Sequence, residues 1–232
     1  MKSSTLSYRG HRYPPEISHA VWLYHRFCLS LRDVEDLLAE RGITVTDETI
    51  RRRCGKFGSG CARALKRREG RLGDTWYLDE LFVTIQGERH YLWRAVGEDG
   101  DVIDILVQRR RNHRAAERFF RRLLKGQGSE PNRLVTDKLA SYGAAHRTTM
   151  PSVIHDTRQY VNNGAEVSHQ PTRQRERQMR RFKSVGQAQR FLSVHGVILS
   201  LFRVGRHLVS SANHRTLRDR SFRVWRQVTC AC

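Results

Sequence analysis

Two textures of apolar spacing divide the 232-residue chain. Near the start, apolar residues recur every three or four positions, the period of a helix with one buried face. Pro14-Pro15 opens the first such segment, which carries Ile17, Ala20, Val21, Tyr24 and Phe27. Ser30 followed by Asp33 then makes a capping-box-like start for a second helix with Leu31, Val34, Leu37 and Leu38 inward, and Gly42 is its stop. After a short turn at Ile43–Thr46, a third helix is expected from about Asp47 through Ile50 to Phe57, ending at Gly58. Helix, tight turn and helix, with Arg51, Arg52, Arg53 and Lys56 on the last element, describe a helix-turn-helix DNA reader; a plain helical hairpin with a basic face has the same pattern.

From residue 75 the texture turns β-branched and aromatic. Thr75–Ile85 (TWYLDELFVTI), Tyr91–Val96 and Val102–Val107 read as strands, separated by the turn signals Gln86-Gly87 and Asp99-Gly100. Asn112 is placed to cap a helix with Ala115, Ala116, Phe119, Phe120, Leu123 and Leu124 inward, closed by Gly126. Asn132–Thr136 is a fourth strand ending at Asp137, and Ser184–Val204 reads as a long apolar helix. Three strands, a helix, a strand and further helices is the order of the ribonuclease-H-like fold, a mixed α/β sheet with flanking helices. The expected organisation is a helix-turn-helix domain over 1–58, a basic linker over 59–73, a ribonuclease-H-like catalytic domain over 74–205 and a basic, poorly patterned tail over 206–232.

Charge sharpens this division. The formal net charge is +20. Residues 1–73 contribute +7, residues 74–160 only +2, and residues 161–232 +11. A near-neutral middle suits a packed core. Basic flanks rich in Arg suit phosphate contacts, since the guanidinium binds phosphate through two parallel hydrogen bonds. No stretch approaches the ~20 apolar residues that span a bilayer, so no membrane partner is expected. The N-terminal residues lack an apolar signal core. The five cysteines (Cys28, Cys54, Cys61, Cys230 and Cys232) form no C-x-x-C pair, which argues against a disulfide framework or a zinc finger. A reduced, cytoplasmic protein associated with the nucleoid is the expectation.

Three carboxylates occupy unusual places. Asp79 interrupts an apolar strand, where a charge is costly unless paired or bound to a cation. Asp137 stands at the carboxyl end of Leu134-Val135-Thr136, where ligands meet α/β sheets. Glu166 is one of only three acids after residue 160, with Glu176 and Asp219. Glu176, set between Arg175 and Arg177, is read as a local salt bridge, and Glu80 as a surface or supporting residue. A metal site and a salt bridge both remain open for Glu166.

The segments Trp76-Tyr77-Leu78-Asp79-Glu80, Tyr91-Leu92-Trp93-Arg94-Ala95-Val96, Leu134-Val135-Thr136-Asp137-Lys138 and Asn162-Asn163-Gly164-Ala165-Glu166, followed by His169, occur in a fixed order. With them, nearly the whole chain resembles the bacterial transposases of insertion sequence family six. The resemblance implies a D-D-E transposase with a helix-turn-helix arm. Its catalytic and metal-binding triad falls on Asp79, Asp137 and Glu166, and its basic residue seven positions after the Glu falls on Arg173. Gly164, Val167, Asn112 and Cys54 depart from the family's pattern, and Pro171 is expected to kink a helix running from Glu166 to Arg173.

The chemistry then implied is phosphodiester exchange with Mg²⁺ or Mn²⁺, two ions in all, and no protein nucleophile. The partner is double-stranded DNA, both the terminal inverted repeats and the target, bound by a homodimer or larger assembly. Expected DNA contacts are Arg51, Arg52, Arg53 and Lys56 on the third helix, Lys138 beside Asp137, and Arg173, Arg177, Arg180, Arg181 and Lys183 beyond Glu166. Alternatives are a non-catalytic or domesticated DNA-binding protein, a nuclease acting on RNA–DNA hybrids, and a recombinase using Tyr142 as nucleophile.

Overall fold

A computed structural model describes residues 15–69, 73–158, 170–179, 182–203 and 209–229. They divide into two compact units, one formed by residues 1–69 with 194–232 and the other by residues 70–193.

The first unit is helical. It contains α1 (Pro15–Arg26), α2 (Leu31–Ala39), α3 (Asp47–Glu69), the second half of α7 (Val185–Leu201) and α8 (Ser211–Thr229). The capping box at Ser30 forms: its hydroxyl accepts the Asp33 N–H at 3.0 Å, and the Asp33 carboxylate accepts the Ser30 N–H at 2.7 Å. The expected stop at Gly58 does not occur. Ile50, Cys54, Phe57, Cys61 and Leu65 continue one buried stripe, so α3 runs to Glu69. A Cβ on Gly58 would meet Val194 Cγ2 at 3.3 Å, so this glycine serves close helix packing rather than termination. The predicted linker is therefore mostly helix, and Arg63, Arg67 and Arg68 are its exposed polar face.

Residues 211–229 of the predicted tail are likewise helical. In α8, Ser221, Trp225, Val228 and Thr229 are buried. Thr229 shares a 2.6 Å hydrogen bond with Ser18 of α1, and Arg68 donates to Gln227 at 2.7 Å. Trp22 packs on Phe202 and Phe222 with ring centroids 5.6 and 5.2 Å away.

The second unit is built on a five-stranded sheet of order β3-β2-β1-β4-β5. The strands are β1 (Thr75–Ile85), β2 (Glu88–Val96), β3 (Val102–Gln108), β4 (Arg133–Val135) and β5 (Ile154–Asp156). β2 runs antiparallel to both neighbours, whereas β4 is parallel to β1 and β5 to β4. This is the ribonuclease-H-like arrangement expected from the element order. Gln86 and Gly87, at φ 53° and 82°, make the tight turn between β1 and β2, a conformation that suits the twist of the hairpin.

Asn112 caps α4 (His113–Gln127) by accepting the Ala115 N–H at 3.1 Å. The helix passes Gly126 and ends at Gly128, whose φ of 71° closes it. α4 lays Ala115, Ala116, Phe119, Phe120 and Leu123 on one face of the sheet. α5 (Ala140–Thr149) adds Tyr142 and Ala145 to the same core. β4 reaches only as far as Tyr77 of β1. Beyond it, α6 (Gln170–Gln178) and Phe182 take up the free side of β1: the Glu176 carboxylate accepts the Thr84 N–H at 2.8 Å, and Phe182 bridges to Ile85. Glu176 thus acts on the sheet edge rather than as a local salt bridge. Among the described residues, no helix is long and apolar enough to cross a membrane.

Asp156 ends β5 with its side chain 6% exposed and is paired with Arg133 and with Arg158, the latter at 2.8 Å. Hydrogen bonds from Arg158 first, with Arg133 assisting, hold its carboxyl well below the usual carboxylate range. A depressed folded-state pKa contributes stability above the unfolded-state value near ~4, and that contribution is lost as pH falls toward the folded-state value. D156N is therefore expected to melt below the native chain at pH 7. The gap should narrow steadily below about pH 4 in thermal unfolding followed by circular dichroism.

Candidate active site

β1 and β4 place two of the three predicted acids. Their parallel register pairs Tyr77 with Val135. Two residues further on stand Asp79, still in β1, and Asp137, just past the end of β4, and neighbouring strands lie only about 4.8 Å apart. The result is a cluster in which Asp79, Glu80 and Asp137 each offer a carboxylate oxygen, all within 4.8 Å of one another. One Asp79 oxygen accepts the Glu80 N–H at 2.7 Å. Asp137 Oδ1 accepts the Leu139 N–H at 3.0 Å, just before α5. Each acid is thus bonded to a nearby backbone N–H.

Glu80 is the member that sequence reasoning placed outside the site. Its side chain is only 2% exposed. The Tyr142 hydroxyl donates to Glu80 Oε2 at 2.6 Å, and Arg111 pairs with Oε1. Burial pushes the Glu80 carboxyl above its usual range and the Asp137 charge adds to this, while hydrogen bonds from Tyr142 and Arg111 oppose it. Tyr142 is fully buried, packed edge-on to Trp93 at 5.4 Å and stacked on Phe120 at 6.1 Å. Burial and the Glu80 charge push its hydroxyl well above the usual tyrosine value. A buried phenol of this kind is a support and does not serve as the nucleophile of a recombinase.

The donor set fits a hard divalent cation. Such ions take oxygen ligands at about 2.0–2.6 Å, which brings neighbouring ligand oxygens to within about 3–5 Å of each other. Asp79 and Asp137 supply two such oxygens, and Glu80 a third that is already engaged. Glu166 and His169 lie outside the described residues, as do Arg180 and Arg181.

Residues 73–204 match the model of the family DDE_Tnp_IS240, a DDE domain. The chain belongs to the DDE transposases of insertion sequence family six. The transposase for the insertion sequence-like element IS431mec of Staphylococcus aureus is 29% identical to it over 195 residues, 82% of this chain and 85% of that one. The transposase for insertion sequence element IS257 in transposon Tn4003, also from Staphylococcus aureus, is 28% identical over the same shares. Among solved structures, the HTLV-2 integrase catalytic core domain in complex with magnesium is similar at 11% identity and a TM-score of 0.43, over 58% of this chain and 90% of that one. As a DDE transposase, this enzyme is a polynucleotidyl transferase acting on DNA with a divalent metal.

The basic residues singled out by sequence are distributed over both units of the transposase. On α3, Arg51 and Arg52 are exposed and both bind Glu48, at 2.6 and 2.8 Å. Those hydrogen bonds, Arg51 first, hold the Glu48 carboxyl down to about 2. Arg53 and Lys56 lie over the Phe57 ring at 5.8 and 5.5 Å. In the catalytic unit, Lys138 is exposed beside Asp137. Arg173 stacks over Phe82, as does Arg89, with guanidinium-to-ring distances of 5.5 and 4.9 Å. Arg177 and Lys183 are exposed. Pro171 lies in the first turn of α6 as described, where its missing N–H leaves no hydrogen bond unmade, and the stretch from Glu166 to His169 that it was expected to kink against lies outside the described residues.

Proposed function

We propose that Asp79, Asp137 and Glu166 form the catalytic triad and hold two Mg²⁺ ions, with Mn²⁺ able to replace them. The observation that carries this reading is that Asp79 of β1 and Asp137, just past the end of β4, bring carboxylate oxygens within 4.8 Å of each other. When bound, such ions activate the attacking oxygen, relieve charge on the phosphate and stabilise the departing oxygen. The protein's own share is placement. Backbone N–H groups bind the Asp79 and Asp137 carboxylates, and the Tyr142 hydroxyl of α5 holds Glu80 beside them. Arg173, held against Phe82, is suited to a DNA phosphate, as are Lys138, Arg177, Arg180, Arg181 and Lys183.

The helices α2 and α3 act as the reader of the terminal inverted repeats. Arg51 and Arg52 exchange Glu48 for phosphate oxygens there, and Arg53 and Lys56 add to the contact. The enzyme nicks each end, and the freed 3′-hydroxyl attacks target DNA. Two ends require at least two protomers, so a dimer or larger assembly forms on DNA. The setting is the bacterial cytoplasm, on the nucleoid.

Oligonucleotide duplexes carrying the element's inverted repeats test this directly. Joined products are expected with Mg²⁺ or Mn²⁺ and none with a chelator or with scrambled ends. Undiminished joining under chelation would refute the metal mechanism.

A further inference from the structure

Arg111 occupies a place that the triad chemistry does not explain. It ends a three-residue loop between β3 and α4, anchored on one side by Gln108 and on the other by the Asn112 cap. Gln108 is itself held, donating to the Ala115 carbonyl at 2.8 Å and accepting from Arg118 at 2.8 Å. From this fixed base the guanidinium reaches two carboxylates and treats them unequally. To Glu80 it offers both Nε and Nη2, the first at 2.5 Å. To Asp137 Oδ2 it stands at 3.6 Å, beyond hydrogen-bond range, an attraction of charge alone. Glu80 cannot follow if Arg111 moves, because the Tyr142 hydroxyl holds its other oxygen.

We infer that Arg111 is a positioning residue: a tethered cation that faces Asp137 Oδ2 and gives it up when metal and DNA load. The inference rests on the reading of Asp137 as a metal ligand. Its Oδ1 is already engaged by the Leu139 N–H, so Oδ2 is the oxygen that a metal and Arg111 contest. A divalent ion and a guanidinium repel each other across so short a gap. The firm contact to Glu80 lets Arg111 pivot without leaving the site, and its side chain is 39% exposed, open to an arriving phosphate. A DNA phosphate that draws Arg111 away from Asp137 clears the oxygen for metal. Metal and DNA therefore bind cooperatively, and by linkage each tightens the other equally.

The test is Mn²⁺ binding by the full chain, read as free Mn²⁺ by electron paramagnetic resonance, with and without a duplex bearing the inverted repeat and corrected for the duplex alone. For the native chain, DNA is expected to tighten Mn²⁺ binding by about 10-fold, within the usual span of coupling between sites. R111Q is expected to bind Mn²⁺ about 10-fold more tightly without DNA, and to retain little of the DNA effect. R111K, which keeps the charge, should stay near the native affinity.

Native protein that binds Mn²⁺ equally with and without DNA would overturn the inference, and that result does not depend on any variant folding. So would R111Q that matches the native chain without DNA. D137N separates the two levels. Loss of Mn²⁺ binding in D137N alongside an unchanged R111Q refutes only the role of Arg111, whereas full Mn²⁺ binding by D137N refutes the metal site beneath it.

Discussion

Replacing Asp137 by Asn is expected to lower strand transfer by on the order of 10³-fold or more while leaving binding to the element's ends within about 3-fold. The same holds for D79N and for E166Q. The substitutions are nearly isosteric and remove charge alone. In D137N the new amide oxygen would still accept the Leu139 N–H, and in D79N the Glu80 N–H, so local backbone structure survives. What each substitution removes is the anionic ligand that the proposed site sets where phosphate charge must be relieved. A 10³-fold loss corresponds to about 4 kcal/mol of transition-state stabilisation, reasonable for a group that orients a metal at the reacting phosphate. Binding to ends, which is proposed to rest on the basic residues, is expected to be unaffected. Quantified joining on end duplexes, paired with a binding titration on the same DNA, checks both halves. Transfer within 10-fold of native in any of the three would remove that residue from the triad.

Trp93→Ala is expected to have the largest effect on stability. Trp93 is wholly buried, lies opposite Glu80 in the β1–β2 register and packs on Phe119 and Tyr142. Removing a buried aromatic of this size costs about 3–5 kcal/mol, from lost burial and from the cavity left behind. For a chain of this length that corresponds to a fall of roughly 6–20 °C in melting temperature. The substitution also takes away one wall of Tyr142, the residue that fixes Glu80, so activity should fall at temperatures where the protein is still folded. Differential scanning calorimetry reads the first effect. A shift under about 3 °C would mean that this cluster does not hold the sheet and α5 together.

How legible this was in the sequence depended on the kind of signal each element carries. The β1–β2 hairpin and α4 were plain because alternation, turn residues and a cap all agreed. α3 was cut short because Gly58 reads as a stop, yet a glycine inside a helix also permits close packing, here against Val194. α8 was hidden because its buried stripe is one residue wide, Ser221, Trp225 and Val228, among many arginines. Asp79 and Asp137 stood out because acids are costly in apolar strands and meaningful at strand ends. Glu80 did not, since its partners Tyr142 and Arg111 come from distant parts of the chain and adjacent strand residues ordinarily face opposite ways. Glu176 looked like one more member of a charged helix, and only the open edge of β1 reveals its purpose.

The central claim is that Asp79, Asp137 and Glu166 converge on divalent ions at the scissile phosphate. A crystal structure of the transposase bound to its end DNA and soaked in Mn²⁺, with anomalous scattering recorded at the manganese edge, tests it most directly. The account predicts two anomalous peaks, each within bonding distance of Asp79, Asp137 or Glu166 and of the DNA phosphate. Manganese found elsewhere, or Glu166 turned away from both aspartates in the DNA-bound complex, would contradict it.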